Sequence, residues 1–280
     1  MTSAADAQGK ATPTSKVKSA ALTPAQPRDS YWELSRRPLT SLLFVAPILL
    51  AYELGVLTLG PGALRNAADV WIRQLLGALG FGQYFLLPLL VCGVLLGWHH
   101  VRHDPWRMHG RVIGIMWLES LVLGLALLAL AQFMGRVFSP AEIVAASQIE
   151  LRLDAGTIPR STWSKFIGYL GAGLYEEVLF RLLLLSTLLW LARQAGLNLR
   201  GSVIVGLLLT SLAFAAVHYR FELSLFGWSI GPQYGDSFSW FSFLFRVAAG
   251  VIFGWLFVLR GFGIVVGAHA LYDILVLVTE

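Results

Sequence analysis

Charge is scarce in this chain. Only 13% of its 280 residues are charged, whereas a soluble protein carries about a quarter. With 56% hydrophobic residues and a mean hydropathy of +0.68, too few polar side chains remain to cover a water-facing surface. Strand-like alternation is also missing: the apolar residues run in continuous blocks, which argues against an outer-membrane barrel. Cysteine occurs once, at Cys92 inside an apolar block. No internal disulfide is possible, and the thiol reads as a small hydrophobe. Large apolar residues are nearly absent before position 30, so that stretch has no core to build and no h-region of a cleavable signal peptide.

What is present is a series of long apolar blocks. They lie at about 39–59, 84–98, 112–134, 166–192, 202–219, 240–259 and 262–278. The expected fold is all-α, a polytopic transmembrane helical bundle of about seven (six to eight) spans. Residues 1–38 are expected to form a disordered cytoplasmic tail, and 39–280 the bundle. Asn66 to Leu79, with Trp71, Ile72, Leu75 and Leu76 on one side, reads as an interfacial helix. The ten Trp residues suit a belt at the membrane boundaries.

The formal charge of +5 and pI of about 9.6 do not point to nucleic acid. The basic residues cluster in the tail and in short loops beside apolar blocks, where topology and anionic lipid headgroups account for them. Lys10, Lys16, Lys18, Arg28, Arg36, Arg37, Arg102, Arg107, Arg111, Arg193, Arg200 and Arg260 fall on one side of the seven spans. Arg65, Arg73, Arg136, Arg152, Arg160, Lys165 and Arg220 fall on the other. Twelve against seven predicts an integral protein of the cytoplasmic membrane with its N-terminus inside.

Against this apolar background, ionisable groups within spans are functional candidates. "LYEEVLFRLLLL" places Glu176, Glu177 and Arg181 where hydrocarbon is expected. On insertion scales each charge costs roughly 2.5–3.5 kcal/mol at a helix centre, so something neutralises, hydrates or uses them. Glu177 and Arg181 are four apart and share a helix face, which predicts a structural ion pair. Glu176 is rotated by about 100° and points elsewhere. In "FAAVH", Phe214 and His218 share a face, with Phe214 expected to pack rather than react. In "HALYD", His269 and Asp273 stack one turn apart, so the carboxylate is placed to orient or charge-support the imidazole. Glu53 and Glu119 are expected to pair with Arg246 across helices, in packing or specificity roles.

If the three stripes converge, they form a wet pocket holding a carboxylate and two imidazoles. A carboxylate beside a histidine takes a proton from water, and a second histidine with a polar partner holds a developing oxyanion. The same Glu176, His218 and His269 are also ordinary ligands for zinc, with water in the open position. Either route activates water for peptide hydrolysis.

"EEVLFR", "FAAVH" and "HALYD", in that order on successive apolar spans, resemble the EExxxR, FxxxH and HxxxN/D motifs of the CAAX-protease and bacteriocin-processing (CPBP) family of intramembrane proteases. The nearest likeness is to its CAAX prenyl protease 2 (Rce1-like) group. The likeness covers roughly residues 165–278. It implies an intramembrane endopeptidase acting on membrane-associated proteins or peptides. Glu176 and His218 would activate water, and His269 with Asp273 would stabilise the oxyanion. The family has been described both as metalloproteases and as glutamate-type enzymes, so zinc stays open. The third motif carries Asp273 where the prenyl-CAAX branch usually carries Asn, which weakens transfer of that branch's substrate.

Other classes fit less well. The chain lacks the HExxH of soluble-type zinc proteases, the GxGD that an intramembrane aspartyl protease would pair with Tyr272-Asp273, and a rhomboid-type GxSx serine. No internal repeat supports a transporter built from inverted halves. The alternative is a non-catalytic scaffold, chaperone or immunity protein on the same fold, although a scaffold has no need of costly intramembrane acids and bases.

Overall fold

The computed structural model describes residues 30–60, 65–82, 85–138, 162–220, 223–225, 228–230 and 235–279. The expected tail runs to residue 38; residues 1–29 lie outside the described residues. Within its last stretch Tyr31–Ser35 form a short helix, α1, closed by a capping box between Ser30 and Glu33.

The long helices follow the apolar blocks. α2 is Pro38–Leu59, opened by a proline whose fixed φ suits a first helical position. α3 is Ala67–Ala78, α4 Leu86–Val101 and α5 Gly110–Val137. α6 is a composite over residues 162–194, described below. α7 is Leu199–Ala216, α8 Trp240–Arg260 and α9 Phe262–Thr279. α2, α5, α7, α8 and α9 are each long and apolar enough to cross a membrane. The shorter α4 and the composite α6 complete the expected set of seven. Apolar side chains such as Leu118 and Val122 on α5 and Leu208 and Leu212 on α7 face outward, as lipid contact requires.

α9 is the central element. Its residues Phe262–Ala270 are buried on every side, packed by α5, α2, α8 and the first half of α6. Such all-round burial marks a helix at the middle of a bundle. α9 follows α8 through Gly261 alone, a left-handed residue with φ +85.

α6 departs from the plain helix that its hydropathy suggests. Thr162–Gly171 and Ser186–Gln194 are α-helical, but Ala172–Glu176 and Val178–Leu185 are wound as π-helix. In that winding each backbone hydrogen bond reaches one residue further along the chain, which widens the turn and re-aims side chains. The segment carrying Glu176, Glu177 and Arg181 is the one so wound. A second departure lies between α7 and α8, where Leu223–Leu225 (β1) pairs antiparallel with Trp228–Ile230 (β2). The apolar blocks at 202–219 and 240–259 leave no element expected between them, and the all-α expectation has no place for a strand pair.

Candidate active site

Close backbone approach brings the widened part of α6 against α9. A Cβ built on Gly173 would lie 2.5 Å from the Ala270 backbone nitrogen, so only glycine permits this contact. The contact sets Glu176 and Glu177, one turn along, beside His269 of α9.

The two glutamates take different directions. Glu177 is inaccessible to solvent and lies 3.1 Å from the equally buried Arg181, the expected ion pair. Its other oxygen, Oε1, sits 2.7 Å from Nδ1 of His269. Arg181 also donates from Nη2 to the Gly250 carbonyl at 3.2 Å. Its guanidinium lies over the rings of Phe214 (4.6 Å) and Phe253 (5.4 Å), and cation–π contacts of this kind gain strength when desolvated. The charges that looked unaffordable in hydrocarbon are thus matched to one another and to aromatic faces.

Glu176, also buried, points the other way. Asn66 donates to its Oε1 at 2.8 Å. Its Oε2 lies 3.8 Å from Nε2 of His218 and 3.9 Å from Nε2 of His269, and makes no hydrogen bond. The three motif residues from α6, the end of α7 and α9 therefore meet around one carboxylate oxygen. Asp273 joins them, its Oδ2 3.6 Å from the same His269 nitrogen.

In both imidazoles Nδ1 is protonated. His218 Nδ1 lies 2.6 Å from the Phe214 carbonyl, and a carbonyl oxygen only accepts, so Nδ1 carries the proton. His269 Nδ1 faces Glu177, a carboxylate already paired with Arg181, and it too is the donor. In both rings Nε2 is the nitrogen turned toward Glu176. His269 is further aligned by Phe253, whose ring stacks on it at 4.5 Å and 20°. Phe214 packs as expected, edge-on to Phe180 and against His218.

His218 lies just past the end of α7 and is held through its backbone. Its carbonyl accepts from the Asp236 N–H at 2.9 Å, and the Asp236 carbonyl accepts from the Arg220 N–H at 3.1 Å. Asp236 in turn pairs with Arg246 of α8. Neighbouring Gly235 has φ +148, and a Cβ there would meet the His218 carbonyl at 2.8 Å.

Three pairings differ from the sequence expectation. Glu53 pairs with Arg73 of α3 at 3.2 Å and accepts from Tyr175. Glu119 takes a two-pronged contact from Arg260, at 2.6 and 2.7 Å, and accepts from Tyr31. Arg246, the partner expected for both, is engaged by Asp236 instead. Helical spacing reports neighbours on one helix and is silent about partners on others. α3 also differs. Leu75 is exposed, as an interfacial helix requires, but Ala68, Asp69 and Ile72 face the bundle. Burial works against the Arg73 cation, yet Asp69 at 2.5 Å, with Glu53 beyond it, outweighs burial and raises its pKa.

The zinc expectation gains nothing from this geometry. Glu176 Oε2 stands farther from each imidazole nitrogen than the roughly 3.4 Å between ligands of a tetrahedral zinc. Among the described residues no group of three or more His, Cys, Asp or Glu is arranged to hold a metal ion.

Asn66 escaped the sequence reading, which used it only to mark the start of a helix. Its signal was weak: a cap residue is ordinary, and its donor role depends on a contact 110 positions away.

No curated protein and no solved structure matches the chain significantly. A family model does, that of the Rce1-like family, described as type II CAAX prenyl endopeptidase, over residues 159–275. The matched stretch contains Glu176, Glu177, Arg181, Phe214, His218, His269 and Asp273. Residues 159–275 of this integral membrane bundle are thus similar to the Rce1-like family.

Proposed function

We propose that the protein is an intramembrane endopeptidase that hydrolyses peptide bonds of membrane-associated protein or peptide substrates. The observation that carries this reading is the meeting of Glu176 Oε2 with the Nε2 atoms of His218 and His269, from three separate helices, at 3.8 and 3.9 Å. Those separations are too long for direct hydrogen bonds and suit a water molecule held between the groups.

Glu176, with His218, takes a proton from that water as its oxygen attacks the scissile carbonyl carbon. The carbonyl π electrons move to oxygen, forming a tetrahedral oxyanion. His269 stands among three carboxylates, Glu177, Asp273 and Glu176; as an imidazolium it carries a proton on Nε2 as well as on Nδ1, and Nε2–H donates a hydrogen bond to that oxyanion. Asp273, 3.6 Å from that same nitrogen, supports the charge on the ring. The C–N bond then breaks, the abstracted proton passes to the leaving amine, and a new carboxyl and a new amino terminus separate. Glu177 and Arg181 orient His269 and hold α6 in place.

The positive-inside bias supports a cytoplasmic N-terminus, an orientation in which His218 and Glu176 lie on the external side of their helices.

The test uses purified protein in lipid nanodiscs and a quenched fluorescent peptide bearing a farnesylated cysteine three residues from its C-terminus, beside its unprenylated counterpart. Glu176→Gln and His218→Ala abolish cleavage while monodispersity in detergent is kept. Retained cleavage in either variant refutes the assignment. Because Gln nearly matches Glu in shape, loss in Glu176→Gln reports chemistry rather than packing.

A further inference from the structure

Asn66 lies outside the stretch that matches the family model, on an element that the motifs do not mention. Its side chain makes two bonds that fix each other. Oδ1 accepts from the Ala68 backbone N–H at 2.8 Å, capping α3. Only the amide oxygen can accept, so the amide has one possible orientation, with Nδ2 facing away from the helix. There Nδ2 donates to Glu176 Oε1 at 2.8 Å. The cap thereby sets the direction of the donor.

The consequence falls on the other oxygen. With Oε1 held, the Glu176 carboxylate cannot rotate about its terminal torsion, which is otherwise soft. Oε2 is kept turned toward both imidazoles with no hydrogen bond of its own. α3 is itself tied down on the same inward side. Asp69 accepts from the Tyr52 hydroxyl at 2.9 Å, and Arg73 bridges Asp69 and Glu53. Glu53 accepts from Tyr175, the residue before Glu176. The donor therefore stands on an anchored element.

We infer that Asn66 is a positioning residue for the hydrolytic carboxylate, aiming Glu176 Oε2 at the space between His218 and His269. This rests on the proteolytic reading above. A carboxylate free to swing would spend part of its time with neither oxygen in the attacking geometry, and misplacements near 1 Å cost on the order of 100-fold in rate.

Two substitutions separate this role from capping. Asn66→Ser keeps a good N-cap but is too short to reach Glu176. Asn66→Asp keeps both the cap and the size but sets a carboxylate against a carboxylate. Both lower kcat by about 10- to 100-fold with KM nearly unchanged, the pattern of an interaction needed in the transition state rather than for binding. Asn66→Ser stays close to the melting temperature of the parent, whereas Asn66→Ala, which loses the cap, and Asn66→Asp, which crowds two carboxylates together, lower it. A second readout needs no substrate. The infrared carboxyl stretching band of Glu176, assigned by its disappearance in Glu176→Gln, shifts in Asn66→Ser because its hydrogen bond is gone. An unshifted band, or unchanged kcat in Asn66→Ser, overturns the inference. If Glu176→Gln itself still cleaves, the proteolytic reading fails instead, and the infrared result then stands only as a statement about geometry.

Discussion

His269 and Glu177, 92 positions apart, meet at 2.7 Å in the buried centre of the bundle. Helical spacing assigns Glu177 to Arg181 alone and leaves His269 to Asp273. In the structure Glu177 serves both Arg181 and His269, so a residue expected to be purely structural also orients a candidate catalytic ring. Glu177→Ala strands Arg181 as an uncompensated buried cation, which costs about 3–5 kcal/mol. Glu177→Gln keeps the shape and one acceptor. It is expected to fold, with a lower melting temperature, and to lose cleavage through a misoriented His269. Thermal melts alongside peptide cleavage distinguish the two variants.

The contact of Gly173 with α9 is a backbone contact, and nothing flexible stands there to yield. Gly173→Ala drives a methyl group to within 2.5 Å of the Ala270 nitrogen. Overpacking of this kind costs about 1–3 kcal/mol, and here it also separates Glu176 from His269. Activity is therefore expected to fall further than stability, as measured by residual cleavage well below the melting temperature.

Arg246 bonds Asp236, whose backbone holds the carbonyl of His218. Arg246→Ala loosens the turn that presents His218 without opening the core, since the pair is partly exposed. Cleavage is expected to drop on the order of tenfold with the melting temperature almost unchanged. A wild-type rate would show that the turn holds His218 unaided.

Glu119 and Arg260 provide the contrast, an ion pair remote from the imidazoles. Arg260 is buried, lies 3.7 Å over the Trp32 ring and reaches Glu119 with two nitrogens. Burial, then Glu119, pushes the Tyr31 phenol pKa up, so that hydroxyl remains a donor to Glu119. Glu119→Ala leaves the Arg260 cation without a counter-charge and is expected to cost about 3–5 kcal/mol. The surviving folded fraction should cleave at the parental rate per molecule, read by active-site titration after thermal fractionation.

Much of this arrangement was legible in the sequence, for identifiable reasons. The spans follow from unbroken hydropathy, and α2, α8 and α9 begin and end within a residue of the apolar blocks. Glu177 with Arg181 follows from i,i+4 spacing. That Glu176, His218 and His269 share one centre was implied by three polar stripes on spans with no other use for them. The partners of Glu53 and Glu119 were not legible, because pairing between helices depends on rotation and tilt that periodicity does not record. Nor was Asn66, whose second bond exists only once α3 folds back against α6. The π winding was hidden for a different reason: an apolar run around Glu176 reads the same whatever its pitch.

That winding has a consequence of its own. Between Ala172 and Leu185 the chain stores surplus length, more residues than an ordinary helix would place over the same rise. Point substitutions that preserve hydropathy leave the surplus intact and so do not expose it. Excising a single residue from 172–175 lets the coil relax to standard pitch and swings the downstream acids away from the histidines, while the span stays just as greasy. The chemistry of this bundle is thus specified by a residue tally along one helix as much as by the side chains that helix carries.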